Sequence, residues 1–166
     1  MRQRARGKDE EWSLDMKIEL LETFITGHPV IDAEHRKIVH AINEVSAAIR
    51  AGNYDQCAAF LDDFLRVCMD HFKTEEELLA ELGYPGLDDH AAFHQELILK
   101  AKSVKVLCMD MSKPDHIERC FDEMATLLIE DVVKGDLQFV SFLIEKGVVG
   151  PQNHPLHATA SAKPSA

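Results

Sequence analysis

The chain has 166 residues, 28% charged and 46% hydrophobic, with a formal net charge of −11. That size predicts one domain able to bury its own core. The acidic balance excludes general binding to nucleic acid or an anionic membrane, and no apolar run approaches the roughly 20 residues of a membrane helix.

In chain order, "MRQRARGK" opens a basic arm over residues 1–15 that is expected to be disordered. The charged "DEEW" after it is not the apolar stretch of a secretory signal, and Met16 offers an alternative natural start. A first helix is predicted from about Asp32 to Ala51, with Ile38, Val39, Ile42, Val45 and Ile49 as its apolar stripe. A second runs from about Asp55 to Leu82 and stops at "GYPG", where Gly83 suits a left-handed cap and Pro85 forbids continuation. A third covers about Leu87 to Met109. The fourth starts after "MSKPD", with Ser112 as cap and Pro114 in the first turn, and continues toward Lys146 with a bend at Gly135. Short connections between four helices predict an all-α, antiparallel up-down four-helix bundle over residues 16–147. Residues 148–166, rich in Pro, Ala and Ser, read as a disordered tail. Cys57, Cys68, Cys108 and Cys120 form no CxxC pair and sit in apolar helical patterns, so all four are expected as buried thiols in a reducing cytoplasm.

The polar residues on these helices carry the chemistry. Residues four apart lie about 40° apart around a helix, so His71 and Glu75 share one face, as do His90 and His94. The first helix offers His35 and the fourth offers Asp131 and Asp136. If these faces point inward, imidazoles and carboxylates converge in an apolar interior. Such burial is costly unless the groups are satisfied, and a metal satisfies all of them together. Imidazole with carboxylate suits iron, manganese or zinc. A single HxxxH is weak evidence, because a core-edge histidine bonded to a carboxylate gives the same pattern. The full set is more specific.

That set resembles the hemerythrins, in particular the bacterial single-domain members, from about Phe24 to Phe142. "GHPVIDAEHRK" is similar to the family's first-helix segment, "HFKTEE" to its second-helix HFxxEE, and "GYPGLDDHAAFH" to its turn followed by HxxxH. The resemblance implies a bundle holding two carboxylate-bridged non-haem iron ions. It makes His35, His71, His90 and His94 ligands and Glu75 and Asp136 bridges. The site would bind dioxygen or another small diatomic, for storage, delivery or sensing. The implied partners include neither nucleic acid nor membrane, and the implied assembly is a monomer or small homo-oligomer.

The chain departs from the family at one ligand. The histidine expected five residues before Asp136 is Asp131, and His116, the only "HI" nearby, stands twenty residues before Asp136, about 30 Å along a helix. Leu127 and Leu20 replace two expected tryptophans, and Trp12 lies too early to serve. In the family pattern the lost histidine joins His90 and His94 on one iron. There Asp131 would be either a terminal carboxylate or too short to reach, leaving the position to water. An anionic ligand favours ferric over ferrous iron. This raises one alternative to an oxygen-binding protein, a diiron peroxidase or oxidase-like scavenger; a second alternative is an interaction module sensing iron or redox state. Phe72, Phe93, Leu97 and Ile129 are expected either around an apolar ligand pocket or as plain core. Glu76, Glu77, Asp88, Asp89, Asp32 and His28 are expected outside the ligand set.

Overall fold

The structure, a computed structural model, describes residues 17–109 and 114–150. The basic arm, the capping role of Ser112 and the tail from residue 151 onward lie outside the described residues.

Four helical rods make up the described chain, with no strand among the described residues. Helix α1 spans Pro29–Arg50, three residues longer at its start than its apolar stripe suggested. Pro29 occupies the first turn, where its missing N–H costs nothing. His28 caps the end through Nδ1, which accepts from the Ile31 N–H at 3.5 Å. Burial lowers the His28 pKa and so favours the neutral ring that can accept. Asp32 folds back onto the incoming chain. Its carboxylate accepts from the Thr26 N–H (2.8 Å), the Thr26 hydroxyl (2.8 Å) and the Gly27 N–H (3.1 Å).

Helix α2 spans Tyr54–Leu82 and ends as expected at Gly83, whose φ of 71° is costly for any residue with a Cβ. The Tyr84 N–H closes the turn on the Leu79 carbonyl at 2.9 Å. Helix α3 spans Leu87–Met109. The last rod is continuous but not uniform. Helix α4 (Pro114–Glu130) passes through a π-helical turn (Asp131–Asp136) into α5 (Leu137–Glu145). Helix α1 packs on α2 and α4, and α3 packs on the same two, closing an antiparallel ring.

The interior has three layers. The larger apolar cluster gathers Ile38, Ile42, Phe64, Leu97, Met124 and their neighbours. A smaller one gathers Ile31, Leu79, Phe139, Leu143 and Val149 at the other end. Val149 is buried there, although it falls in the stretch read as tail. Between the clusters lies a polar layer, built because each stripe carries ionisable residues at core positions. On α3 the buried series is His90, His94, Leu97, Ala101, Val104 and Cys108, alternating steps of four and three.

The cysteines correct one expectation. All four are buried, but Cys108 and Cys120 form a disulfide, with Cα atoms 5.2 Å apart. The packing of α3 on α4 brings their stripes face to face, which spacing along the chain does not reveal. Cys57 and Cys68 are not disulfide-bonded. The argument for a reducing compartment therefore loses two of its four thiols. Among the described residues no helix is long and apolar enough to cross a membrane.

The crosslink closes a short loop, so its loss should cost about 2–3 kcal/mol by chain entropy. Denaturant midpoints with and without reductant, and of a Cys108→Ala/Cys120→Ala variant, should show that loss. Thiol titration of the unfolded, unreduced protein should count two.

Candidate metal centre

Seven ionisable side chains meet in the polar layer: His35 from α1, His71 and Glu75 from α2, His90 and His94 from α3, and Asp131 and Asp136 from the π turn. None is more than 7% exposed. Every residue that the sequence marked as a ligand is therefore brought to one place. His40 is exposed on the outside of α1, and His116 stands in the first turn of α4, far along the rod from Asp131.

The π turn explains how the fourth helix contributes two groups. At about 100° per residue, residues five apart on an α-helix point about 140° away from each other. A π turn is wider, closing i to i+5. It brings Asp131 and Asp136 to the same side, and both are buried. Gly135, where a bend was expected, lies inside this turn. A Cβ there would meet Phe93 at 3.3 Å and His90 at 3.4 Å, so glycine lets α3 approach closely.

The donor atoms form two groups, each with its ligand atoms within 4.8 Å of one another: His35, His71, Asp131 and Asp136, and Glu75, His90 and His94. In the first, His35 Nε2 lies 2.9 Å from Asp136 Oδ2, and His71 Nε2 lies 3.1 Å from Asp131 Oδ2. In the second, Glu75 Oε2 lies 3.4 Å from His90 Nε2 and 3.5 Å from His94 Nε2. The groups touch: Glu75 Oε1 is 3.8 Å from His71 Nε2, and Asp131 Oδ1 is 3.6 Å from His94 Nε2. Metal bonds of about 2.0–2.2 Å hold donors at right angles about 3 Å apart and donors at 120° about 3.6 Å apart. The observed separations fall in and just beyond that range.

The hydrogen bonding fits a metal as well. Apart from the imidazole–carboxylate approaches just given, both ring nitrogens of His35, Glu75 Oε1, His94 Nε2, Asp131 Oδ1 and both Asp136 oxygens are buried without a hydrogen-bond partner. Buried polar atoms are almost always paired. Buried donor atoms held only by one another in this way suit a site arranged for cations.

Outside this layer, two carboxylates fix the rings. Glu34 accepts from His71 Nδ1 (3.3 Å) and from the Thr74 hydroxyl (3.1 Å). Glu76 accepts from His94 Nδ1 (2.9 Å). Each leaves Nε2 facing inward, the arrangement that orients and strengthens an imidazole ligand. Phe72 stacks on His94 with centroids 4.2 Å apart. Glu76 was expected either at the surface or in this supporting role. Glu34 was missed, because it stands one residue from His35 and its reach to α2 depends on the packing of the two helices.

The charges balance within the layer. Burial works to lower the His71 pKa, yet Glu75, Asp131 and Glu34 raise it well above its ordinary value. Burial is likewise outweighed at His94, where Asp131, Glu75 and Glu76 raise the pKa to about 9. Glu75 and Asp131 resist burial in the opposite sense and are held below the usual carboxylate range by those imidazoles. Burial and the charges of Glu75 and Asp131 push Asp136 well up, and burial with the charge of His71 pushes His35 down to about 4.

Beside Asp131 lies a small cavity of about 10 Å³, walled by Ile38, Phe72, Leu97, Leu127 and Leu128 with the Cys68 thiol. Phe72 and Leu97 line it as expected. Phe93 and Ile129 do not: Phe93 packs toward Gly135, and Ile129 is 47% exposed.

Comparison with known proteins agrees with this geometry. The family described as the hemerythrin HHE cation binding domain matches residues 26–134. A bacteriohemerythrin of Clostridium acetobutylicum is 25% identical over 123 residues, which cover 72% of this chain and 95% of that protein. A myohemerythrin of Riftia pachyptila is 32% identical over 83 residues, 50% of this chain and 64% of that protein. A bacteriohemerythrin of Stenotrophomonas maltophilia is 30% identical over 80 residues, 48% of this chain and 52% of that protein. The chain thus spans nearly all of the first relative and about half to two thirds of the other two.

The raised and lowered pKa values set the pH dependence of chelator-treated protein. His94 stabilises the fold fully below its ordinary value of 6.5 and ceases to do so as pH rises through about 9. The raised values of His71 and Asp136 act in the same direction. Glu75 and Asp131 contribute above their ordinary values of 4.5 and 3.8 and lose that contribution as pH falls. The lowered value of His35 acts the other way and offsets Asp136 between about pH 4 and 6.5, so stability without metal should be greatest between about pH 4.5 and 6.5 and decline toward alkaline pH. Urea midpoints across this range check it. Metal affinity should show the opposite alkaline trend, because binding displaces the same protons.

Proposed function

The chain belongs to the hemerythrin family, and from that premise we propose that its polar layer holds two non-haem iron ions and binds dioxygen or another small diatomic for storage, delivery or sensing. The two touching donor groups, with their unpaired inward-facing atoms, are the observation that supports this most. His35 and His71 would serve one ion and His90 and His94 the other, with Glu75 and Asp136 spanning them and Asp131 as a further ligand. Iron bound there would supply the electrons that make dioxygen binding reversible.

The protein's own residues limit what arrives. A cavity of about 10 Å³ is near the minimum for one water-sized molecule. Its walls are mostly apolar, which suits an uncharged diatomic and excludes larger substrates. Leu128 is shared between this cavity and an outer groove lined by Ile18, Leu21, Phe24 and Ile129. That side chain separates the interior from solvent on this side.

A second reading, a peroxide-consuming or oxidase-like centre, is favoured by Asp131 alone, since an anionic group in place of an imidazole stabilises ferric iron. Anaerobic iron loading followed by air and then by oxygen removal distinguishes the two. A reversible optical change supports oxygen binding, whereas rapid irreversible oxidation with turnover of added peroxide supports the scavenger.

Two outcomes are expected. Elemental analysis after anaerobic loading should give two irons per chain, with Glu75→Ala losing both and His90→Ala chiefly one. Stopped-flow mixing with dioxygen should be several-fold faster for Leu128→Ala and slower for Leu128→Trp, at unchanged iron content.

A further inference from the structure

We propose that Asp131 spans the two metal ions, with one oxygen on each, so that this chain holds its pair with three spanning carboxylates. The proposal rests on the two-iron reading above and replaces the expectation that residue 131 serves only the ion held by His90 and His94.

The two oxygens of Asp131 face different halves of the layer. Oδ2 lies 3.1 Å from His71 Nε2, in one donor group, and Oδ1 lies 3.6 Å from His94 Nε2, in the other. Its nearer oxygen is the one on His71, so the carboxylate is not confined to the His90–His94 side. With metal bonds of about 2.0–2.2 Å, these separations correspond to angles of about 90–120° at each ion, ordinary for neighbouring ligands. Oδ1 is among the buried oxygens with no hydrogen-bond partner, so it is available as a donor. The side chain is 2% exposed, which leaves it no route to solvent.

The length of the side chain accounts for this placement. A carboxylate oxygen lies two bonds beyond Cβ, whereas Nε2 of histidine lies three bonds beyond it. An imidazole at position 131 can reach across to one ion, while a carboxylate stops midway, where its two oxygens diverge toward both. With Glu75 and Asp136 as the other two spanning groups, each ion receives two imidazole nitrogens and three carboxylate oxygens. The centre is then close to symmetric. Three negative charges offset most of the four positive charges of two divalent ions, so a divalent pair is held without a further anion.

Two measurements on the full chain test this. The first is Mössbauer spectroscopy of anaerobic protein loaded with two equivalents of ⁵⁷Fe(II). The wild type should give a single quadrupole doublet, and Asp131→His should resolve two of equal area. Two well-separated doublets in the wild type would overturn the proposal without any variant. The second is cobalt(II) titration of wild type and Asp131→Asn, with helix content checked by circular dichroism. Both binding steps should weaken by about tenfold or more in the variant. Weakening of one step only, or of neither, would overturn the spanning role and leave the two-iron reading intact. A wild type that takes up fewer than two ions would overturn both.

Discussion

Seven ionisable side chains buried between two apolar layers are the constraint to which the rest of this structure answers. An uncompensated charge or unpaired polar atom there costs several kcal/mol. The chain meets that cost by concentrating the groups in one plane. Opposite charges lie within 4 Å of each other, and two carboxylates at the rim, Glu34 and Glu76, hold the outer nitrogens of His71 and His94. The apolar clusters on either side keep water out and the helices in register. Binding and folding thus draw on the same contacts. Ions that neutralise the layer would also hold the four rods together.

Much of this was legible in the sequence, for reasons that can be named. Helix α3 begins where its pattern predicts because Pro85 and Gly86 precede it. Gly83 adopts the left-handed turn that only glycine takes easily. The faces carrying His71 with Glu75 and His90 with His94 follow from a spacing of four on a regular helix. Elsewhere local pattern was a poorer guide. The start of α1 is set by Pro29, His28 and the backward reach of Asp32, none of which belongs to the buried apolar stripe, so that stripe could not find it.

The fourth rod shows the limit most clearly. Its family resemblance supplied the count of five between Asp131 and Asp136, but regular helix geometry would have turned one of them away from the site. The π turn reconciles count and geometry, and no periodicity in the sequence announces it. The pairing of Cys108 with Cys120 was hidden for a related reason: it depends on how two antiparallel helices face one another. Glu34 is a third case, since its partner lies on another helix. In each of these, the missing information is tertiary.

The wide turn has a consequence for how such chains can diverge. Because it is a local change of helical pitch, everything beyond it, including Phe139 and Leu143 in the far apolar cluster, is rotated to fit. Adding a further residue between Asp131 and Asp136 would swing the rest of the rod by about 100° and expose that cluster, whereas removing one would return the turn to α-helical pitch and point one of the two carboxylates away from the site. Replacing a residue there only alters one donor. Substitution within the turn therefore revises its chemistry, while a change of its length costs either the far cluster or one of the two donors.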